Sequence, residues 1–135
     1  MRELTLPATV ENIETITDFV NEYLDEMGCS MKVQMQIAVV IDEVFSNIAH
    51  YAYLSSVGDV TVNVDLDEES HKIMLSFADH GVKYNPLAKD DPDITLSAED
   101  REIGGMGIFM VKKLMDEIAY EYREGQNVLK MWKKL

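Results

Sequence analysis

The chain has 135 residues and a formal net charge of −13, from 25 acidic and 12 basic side chains. At 47% hydrophobic and 27% charged residues, it is a globular protein that is too apolar for intrinsic disorder. The acidic balance argues against nucleic acid as a partner, because phosphate backbones are held mainly by Lys and Arg. No apolar run reaches the roughly 20 residues of a membrane span, and the single cysteine, Cys29, excludes an intrachain disulfide. These features predict one cytoplasmic domain over residues 1–135, with no membrane association.

The N-terminal part of the sequence predicts a strand and two helices. Residues 4–6 are typical of a short strand that stops at Pro7. Thr9 is a candidate cap for a first helix, which Gly28 ends, and Ser30 is a candidate cap for a second. Apolar residues recur at helical spacing in both segments. In the second helix they are Val33, Ile37, Val40, Ile41, Val44 and Ile48.

The middle of the sequence predicts a β-hairpin followed by a long loop. Apolar and polar residues alternate over 60–66 and again over 73–77, with an acidic turn at 67–70 between them. From 82 to 103 the periodicity is lost, and two prolines break any regular element. A structureless loop of this length in a small domain is usually a lid or a binding loop.

The C-terminal part predicts one helix and two strands. The helix follows a glycine-rich segment at 104–107, and the strands lie near 118–123 and 128–132, joined by a turn at 124–127. Together, the elements predict an α+β two-layer sandwich, in which helices cover one face of a mixed, mostly antiparallel sheet.

The second predicted helix carries two candidate functional residues, Glu43 and Asn47. They are four residues apart, so their side chains stack on one face of the helix, at the margin of its apolar stripe. The carboxylate could accept a proton, and the carboxamide could offer an oxygen ligand to Mg²⁺. An ordinary polar edge of an amphipathic helix would carry the same residue types.

A further candidate site lies where the hairpin ends, at Asp79-His80-Gly81. Asp79 would stand at the edge of the sheet and could accept a hydrogen bond from an exocyclic amine such as that of adenine. Gly81 would allow the backbone to approach a ligand closely. The alternative is a structural turn, since Asp and Gly are favoured where strands end.

The segment Gly104-Gly105-Met106-Gly107 precedes a helix. Successive backbone N–H groups at a positive helix end can hold a phosphate group. The segment matches neither the P-loop, since no Gly-Lys-Ser/Thr follows, nor the Rossmann motif, since it does not follow a strand. A glycine-rich hinge before a helix is the alternative interpretation.

In this order, the three segments resemble the histidine-kinase-like ATPase family. In the anti-sigma factor serine kinases of this family, the second helix often reads like Ile41-Asp42-Glu43 through Asn47 to Tyr51-Ala52-Tyr53, and the later stretch like Gly104-Gly105-Met106-Gly107-Ile108 through Leu114-Met115-Asp116-Glu117. Within the family, the short length and these motifs look most like the bacterial anti-sigma factor serine kinases, or switch-protein kinases. The resemblance runs over essentially the whole chain.

The resemblance implies a role for each motif in binding ATP. Asn47 would ligate Mg²⁺ that bridges the nucleotide phosphates, and Glu43 would be the general base. Asp79 would read the adenine amino group, with Gly81 letting the base lie against the backbone. Residues 82–103 would form a lid over the nucleotide. The candidate phosphate-facing residues are Gly104, Gly105, Met106, Gly107 and a lid cation, either Arg101 or Lys83.

The resemblance also implies an activity and partners. Such a protein phosphorylates a serine on a small anti-anti-sigma partner, binds a sigma factor or comparable regulator when that partner is unavailable, and usually forms a homodimer. One alternative is a catalytically weak module that uses ATP as a conformational clasp. The other is a plain α+β interaction domain that binds no nucleotide.

Two positions depart from the family pattern. Tyr51 stands where relatives often have His, an exchange expected to be harmless. Many relatives carry a Thr in the last strand that points at the adenine pocket, and none is found around residues 130–132.

The three histidines lack metal-ligand spacing, so no zinc site is predicted.

Overall fold

A computed structural model describes residues 1–53, 57–88 and 105–135, with the backbone alone at residues 105 and 106. None of the described helices is long and apolar enough to cross a lipid bilayer. In chain order, the strands and α-helices are β1 (Arg2–Pro7), α1 (Ile13–Glu26), α2 (Met31–Tyr51), β2 (Asp59–Asp67), β3 (Lys72–Asp79), α3 (Gly105–Leu114), β4 (Glu117–Arg123) and β5 (Gln126–Lys134).

The five strands form one sheet in the order β1-β2-β3-β5-β4. Every pairing recorded among the described residues is antiparallel. Alternate residues of the central strands are buried on one face of the sheet, as a period of two requires. They are Val60, Val62, Val64, Ile73, Leu75, Phe77, Leu129 and Met131. Because they share one core with buried residues of the helices, the predicted α+β two-layer sandwich is confirmed.

The starts of the first two helices test the two predicted caps. Ser30 caps α2, since its Oγ accepts a hydrogen bond from the backbone N–H of Val33 at 3.2 Å. The cap predicted at Thr9 is wrong, because its side chain makes no capping hydrogen bond. Instead, a short 3₁₀ turn at Val10–Asn12 precedes α1, and the carboxamide of Asn12 donates to the carbonyl of Pro7 at 2.8 Å. This bond sets the path of the chain from β1 into α1.

The turn between β4 and β5 is shorter than predicted. Glu124 and Gly125 have φ angles of 53° and 79°, the two positive values of a two-residue hairpin turn. The turn therefore does not extend to residue 127, and β5 begins at Gln126. As a result, Asn127 lies inside the sheet, directly opposite Asp79 of β3.

Candidate functional site

A cleft opens between the C-terminal half of α2 and the end of the sheet where β3 stops and β5 begins. It encloses about 540 Å³ of empty space, including the part that is open to solvent. The lining is mostly apolar and aromatic, with a few polar groups, as in sites for small flat ligands. The lining residues are Val44, Asn47, Ile48, Tyr51, Ala52, Phe77, Asp79, Val82, Tyr84, Pro86, Ile108, Tyr120, Asn127 and Leu129.

Asp79 is the buried carboxylate of this cleft, with 5% of its surface exposed. Its Oδ1 accepts hydrogen bonds from the backbone N–H of Gly81 at 2.9 Å and from Nδ2 of Asn127 at 3.0 Å. Within residues 1–53, 57–88 and 105–135, nothing donates to its other oxygen, Oδ2. Asp79 lines the open cleft, so Oδ2 is left as an acceptor for a ligand.

Gly81 lies against the C-terminal end of α2. The next residue, Val82, donates its backbone N–H to the carbonyl of Ala52 at 2.9 Å. A Cβ atom at position 81 would overlap that same carbonyl. Glycine is therefore required here by the packing of the chain on α2, in addition to any close approach of a ligand.

Sequence reasoning missed Asn127, which is 7% exposed and lines the cleft beside Asp79. Its Nδ2 also donates to the carbonyl of Val82 at 2.9 Å. Its Oδ1 accepts from the backbone N–H of Tyr84 at 3.0 Å and from the hydroxyl of Tyr120 at 2.5 Å. A signal was present in the sequence, because a polar residue precedes the alternating apolar residues 129 and 131 on the buried face of the last strand.

Glu43 lies one helical turn before Asn47 on α2 and is half-buried. Burial, with a smaller contribution from the negative charge of Asp42, raises the pKa of its carboxyl group. A Cβ atom at Gly107 of α3 would lie 3.4 Å from Cδ of Glu43 and still closer to Oε2. The two helices therefore pack closely at this point, and the missing side chain of Gly107 leaves space for the carboxylate.

A family model described as the histidine kinase-like ATPase domain matches residues 6–133, nearly the whole chain. The chain belongs to this family. Among its relatives is the serine-protein kinase RsbW of Bacillus mycoides, 30% identical over 131 residues that cover 94% of this chain and 81% of that protein. RsbW of Bacillus cereus is 31% identical and RsbW of Bacillus anthracis is 30% identical, with the same coverage. The family recognised from the three motifs is confirmed.

A solved structure supports the same fold for this histidine kinase-like ATPase chain. It contains the RsbU and RsbW domains of Rv1364c from Mycobacterium tuberculosis. The TM-score is 0.67 at 17% sequence identity, over all of this chain and 33% of that one. The chain thus spans about a third of the length of its structural neighbour, and the likeness extends to the fold alone.

Asn47 is a residue of the cleft that could offer an oxygen ligand to a magnesium ion. Asn47 lines the cleft and carries a hard oxygen ligand. Mg²⁺ commonly takes only one or two protein ligands and completes its shell with phosphate oxygens and water. No group of three His, Cys, Asp or Glu side chains that could hold a metal occurs among the described residues.

The structure places the other predicted residues as follows. Gly105, Met106 and Gly107 lie in the first turn of α3, rather than in a loop before it. Arg101 and Gly104 lie outside the described residues, as does most of the predicted lid at 82–103.

Lys83 does not line the cleft, and its Nζ lies 5.3 Å from the centre of the Tyr122 ring. Tyr51, which is 52% exposed, lines the cleft.

The position of Gly107 leads to a test of how this ATPase holds Glu43. If Glu43 is the base that the sequence predicts, Gly107→Ala should displace its carboxylate and lower phosphate transfer about 10- to 100-fold, because small misplacements of reacting groups are costly. The fold should tolerate the change, since Ala favours a helix interior by about 0.5–1 kcal/mol over Gly. Transfer rates and thermal unfolding of the variant and the wild type measure both effects.

A double variant separates the two roles that Gly107 could have. If Gly107 acts through Glu43, Gly107→Ala will cost no further activity in a Glu43→Gln background, because coupled residues are not additive. A full additional loss in the double variant would contradict this role and favour direct contact with phosphate.

Proposed function

We propose that this protein binds Mg-ATP in the cleft and transfers the γ-phosphate to a serine of a small partner protein of the anti-anti-sigma type. In this proposal it also sequesters a sigma factor or comparable regulator when that partner is unavailable, acting in the cytoplasm as a homodimer. The observation that carries the proposal is the buried Asp79 carboxylate, with one oxygen held by the protein and the other without a described donor. Membership of the histidine kinase-like ATPase family and similarity to proteins named serine-protein kinase support it.

The adenine base would occupy the apolar part of the cleft. Asp79 Oδ2 is the acceptor for its exocyclic amine, and Phe77, Ile108 and Tyr120 supply apolar and aromatic surface around it. The described start of the proposed lid borders the same space, since Val82 and Tyr84 line the cleft. The base would therefore be read at the end of β3 and covered by the segment that follows.

The phosphates would extend from the base towards α2 and the first turn of α3. Asn47 would hold Mg²⁺, and Gly105, Met106 and Gly107 would offer backbone N–H groups at the positive end of α3, with Gly104 and Arg101 preceding them in the chain. Mg²⁺, when bound, supplies positive charge to phosphate oxygens during phosphoryl transfer. From the C-terminal end of α2 towards its N-terminus, the order would therefore be the adenine base, the metal ligand Asn47 and the proton acceptor Glu43.

Glu43 would accept the proton of the attacking serine. As the serine oxygen forms its bond to the γ-phosphorus, the bond from that phosphorus to the bridging oxygen breaks, and its electron pair leaves with ADP. The serine proton passes to the carboxylate of Glu43. Because burial raises the pKa of this group, the carboxylate is a better proton acceptor than an exposed one.

Calorimetric titration of the purified protein with Mg-ATP tests the proposal. We expect saturable binding in the micromolar to submillimolar range, and its loss in Asp79→Ala. Incubation with small candidate partners and Mg-ATP should then phosphorylate one serine, as detected by mass spectrometry, with the Ser→Ala partner as the control. No heat from folded wild-type protein would overturn the proposal and favour a nucleotide-free interaction domain. Binding without transfer to any partner would favour an ATP-dependent clasp.

A further inference from the structure

We propose that Asn127 is a positioning residue, which sets the orientation of Asp79 and thereby the preference of the cleft for a base with an exocyclic amine. The inference rests on the proposed function and adds to it a residue that reads no ligand itself. It is based on the hydrogen bonds that the Asn127 carboxamide makes in the structure.

The carboxamide of Asn127 is fully used within the protein. Its Nδ2 donates to Asp79 Oδ1 at 3.0 Å and to the carbonyl of Val82 at 2.9 Å. Its Oδ1 accepts from the N–H of Tyr84 at 3.0 Å and from the hydroxyl of Tyr120 at 2.5 Å. An amide side chain offers two donors and two acceptor lone pairs, so no capacity is left for a ligand.

The bond from Asn127 helps to determine which carboxylate oxygen of Asp79 is free. Oδ1 is held from two sides, by Nδ2 of Asn127 and by the N–H of Gly81 at 2.9 Å. Rotation of the carboxylate would break both bonds at a buried position. Oδ2 therefore stays in one place as a pure acceptor, which favours an amino group over a carbonyl oxygen at the edge of the base.

The same side chain holds the segment that leaves the sheet after β3. Residues 82 and 84 line the cleft, and both are bonded to Asn127 through their backbone. The orientation of Asp79 and the position of this wall therefore depend on a single carboxamide. Removing the carboxamide would release both the carboxylate of Asp79 and the wall formed by residues 82 and 84.

The test compares ATP with ITP, which carries a carbonyl oxygen in place of the adenine amino group. We expect the wild type to bind ATP at least about tenfold more tightly than ITP, because a site built for one hydrogen bond rejects the analogue that lacks it. Asn127→Leu should reduce this ratio to near one. Gln34→Leu is a matched control, because Gln34 is 8% exposed and its amide donates to the carbonyl of Cys29 at 3.1 Å on another side of the molecule. The Gln34→Leu control should lose thermal stability and keep the wild-type preference for ATP over ITP.

A second variant keeps the test decisive if Asn127→Leu does not fold. Asn127→Asp has nearly the same shape and places a carboxyl group against Asp79. Two carboxyl groups within hydrogen-bond distance of each other share a proton, which raises the pKa of one above its ordinary value near 4. Below the raised pKa the shared proton replaces the lost donor, and above it the two charges repel. The ATP-over-ITP ratio of the variant should therefore fall as pH rises from about 5 to about 8.

The wild type over the same pH range is the control for the other titratable groups nearby. Burial, with a smaller contribution from the charge of Asp79, raises the pKa of Tyr120, so its hydroxyl stays a donor at these pH values. His80 contacts the neighbouring Gln126 at 3.0 Å and is present in both proteins. The inference is wrong if the wild type prefers ATP over ITP and every Asn127 variant that folds keeps the same preference at each pH. If the wild type binds no ATP, the proposed function fails, and this inference fails with it.

Discussion

Replacing Glu43 with Gln should lower phosphate transfer about 100- to 10,000-fold, the usual contribution of a positioned general base. Mg-ATP affinity should stay within about twofold, because the amide keeps the shape of the side chain and Glu43 does not line the base-binding cleft. Single-turnover transfer and calorimetric titration measure the two quantities. Asp42→Asn is the matched control, since Asp42 is the exposed acid next in sequence on the same helix.

The raised pKa of Glu43 adds two further expectations. As a base, Glu43 acts only when ionised, so transfer should appear as pH rises through that raised pKa. The folded state disfavours the charged form of Glu43, so the contribution of this group to stability is most favourable below its ordinary pKa and is lost as pH rises through the raised pKa. Glu43→Gln should therefore match or exceed the wild type in thermal stability at neutral pH. Unchanged transfer in this variant would show that Glu43 is not the base.

Replacing Asp79 with Asn should weaken ATP binding about 10- to 100-fold, since a hydrogen bond to a charged group contributes about 1.5–3 kcal/mol. The amide oxygen can still accept from Gly81 and Asn127. The amide nitrogen then stands where Oδ2 stood, and it donates instead of accepting. ITP, with an acceptor at that edge of its base, should lose no affinity or should gain some.

The control for this variant uses the other end of the same hairpin. The backbone N–H of Glu69 donates to Oδ1 of Asp67 at 3.0 Å, in the same two-residue spacing that joins Gly81 to Asp79. Asp67→Asn therefore makes the same chemical change in a similar turn that lies outside the cleft. Nucleotide titrations of both variants and the wild type provide the comparison. Equal loss of ATP affinity in the two variants, or none in Asp79→Asn, would contradict the assignment of Asp79.

Much of this fold could be predicted because its elements carry regular local patterns. The apolar stripe of α2 and the alternation in β2 and β3 reflect the periods of a helix and a strand. The stacking of Glu43 and Asn47 follows from helical geometry alone. Asp79 was also predictable, since a carboxylate followed by Gly81 ends a strongly apolar strand.

Asn127 was not predictable in the same way, because its role depends on a strand pairing. It faces Asp79 across a separation of 48 residues, and only the order of strands in the sheet brings β3 and β5 together. Its assignment to a turn failed because Glu124 adopts a positive φ, which is uncommon for a residue with a side chain. A two-residue turn then moved residues 126 and 127 into β5.

Local patterns predict the helices, the strands, and the positions of Asp79 and of the pair on α2, because each depends on residues close together in the chain. The order of three such segments along the chain carries the resemblance to the family, which the match over residues 6–133 shows. The packing of distant segments establishes that Asn127 holds Asp79 and that Gly107 leaves space for Glu43. Both contacts join separate elements, α2 with α3 and β3 with β5. Their geometry follows from strand order and close helix packing, which no spacing within one segment encodes.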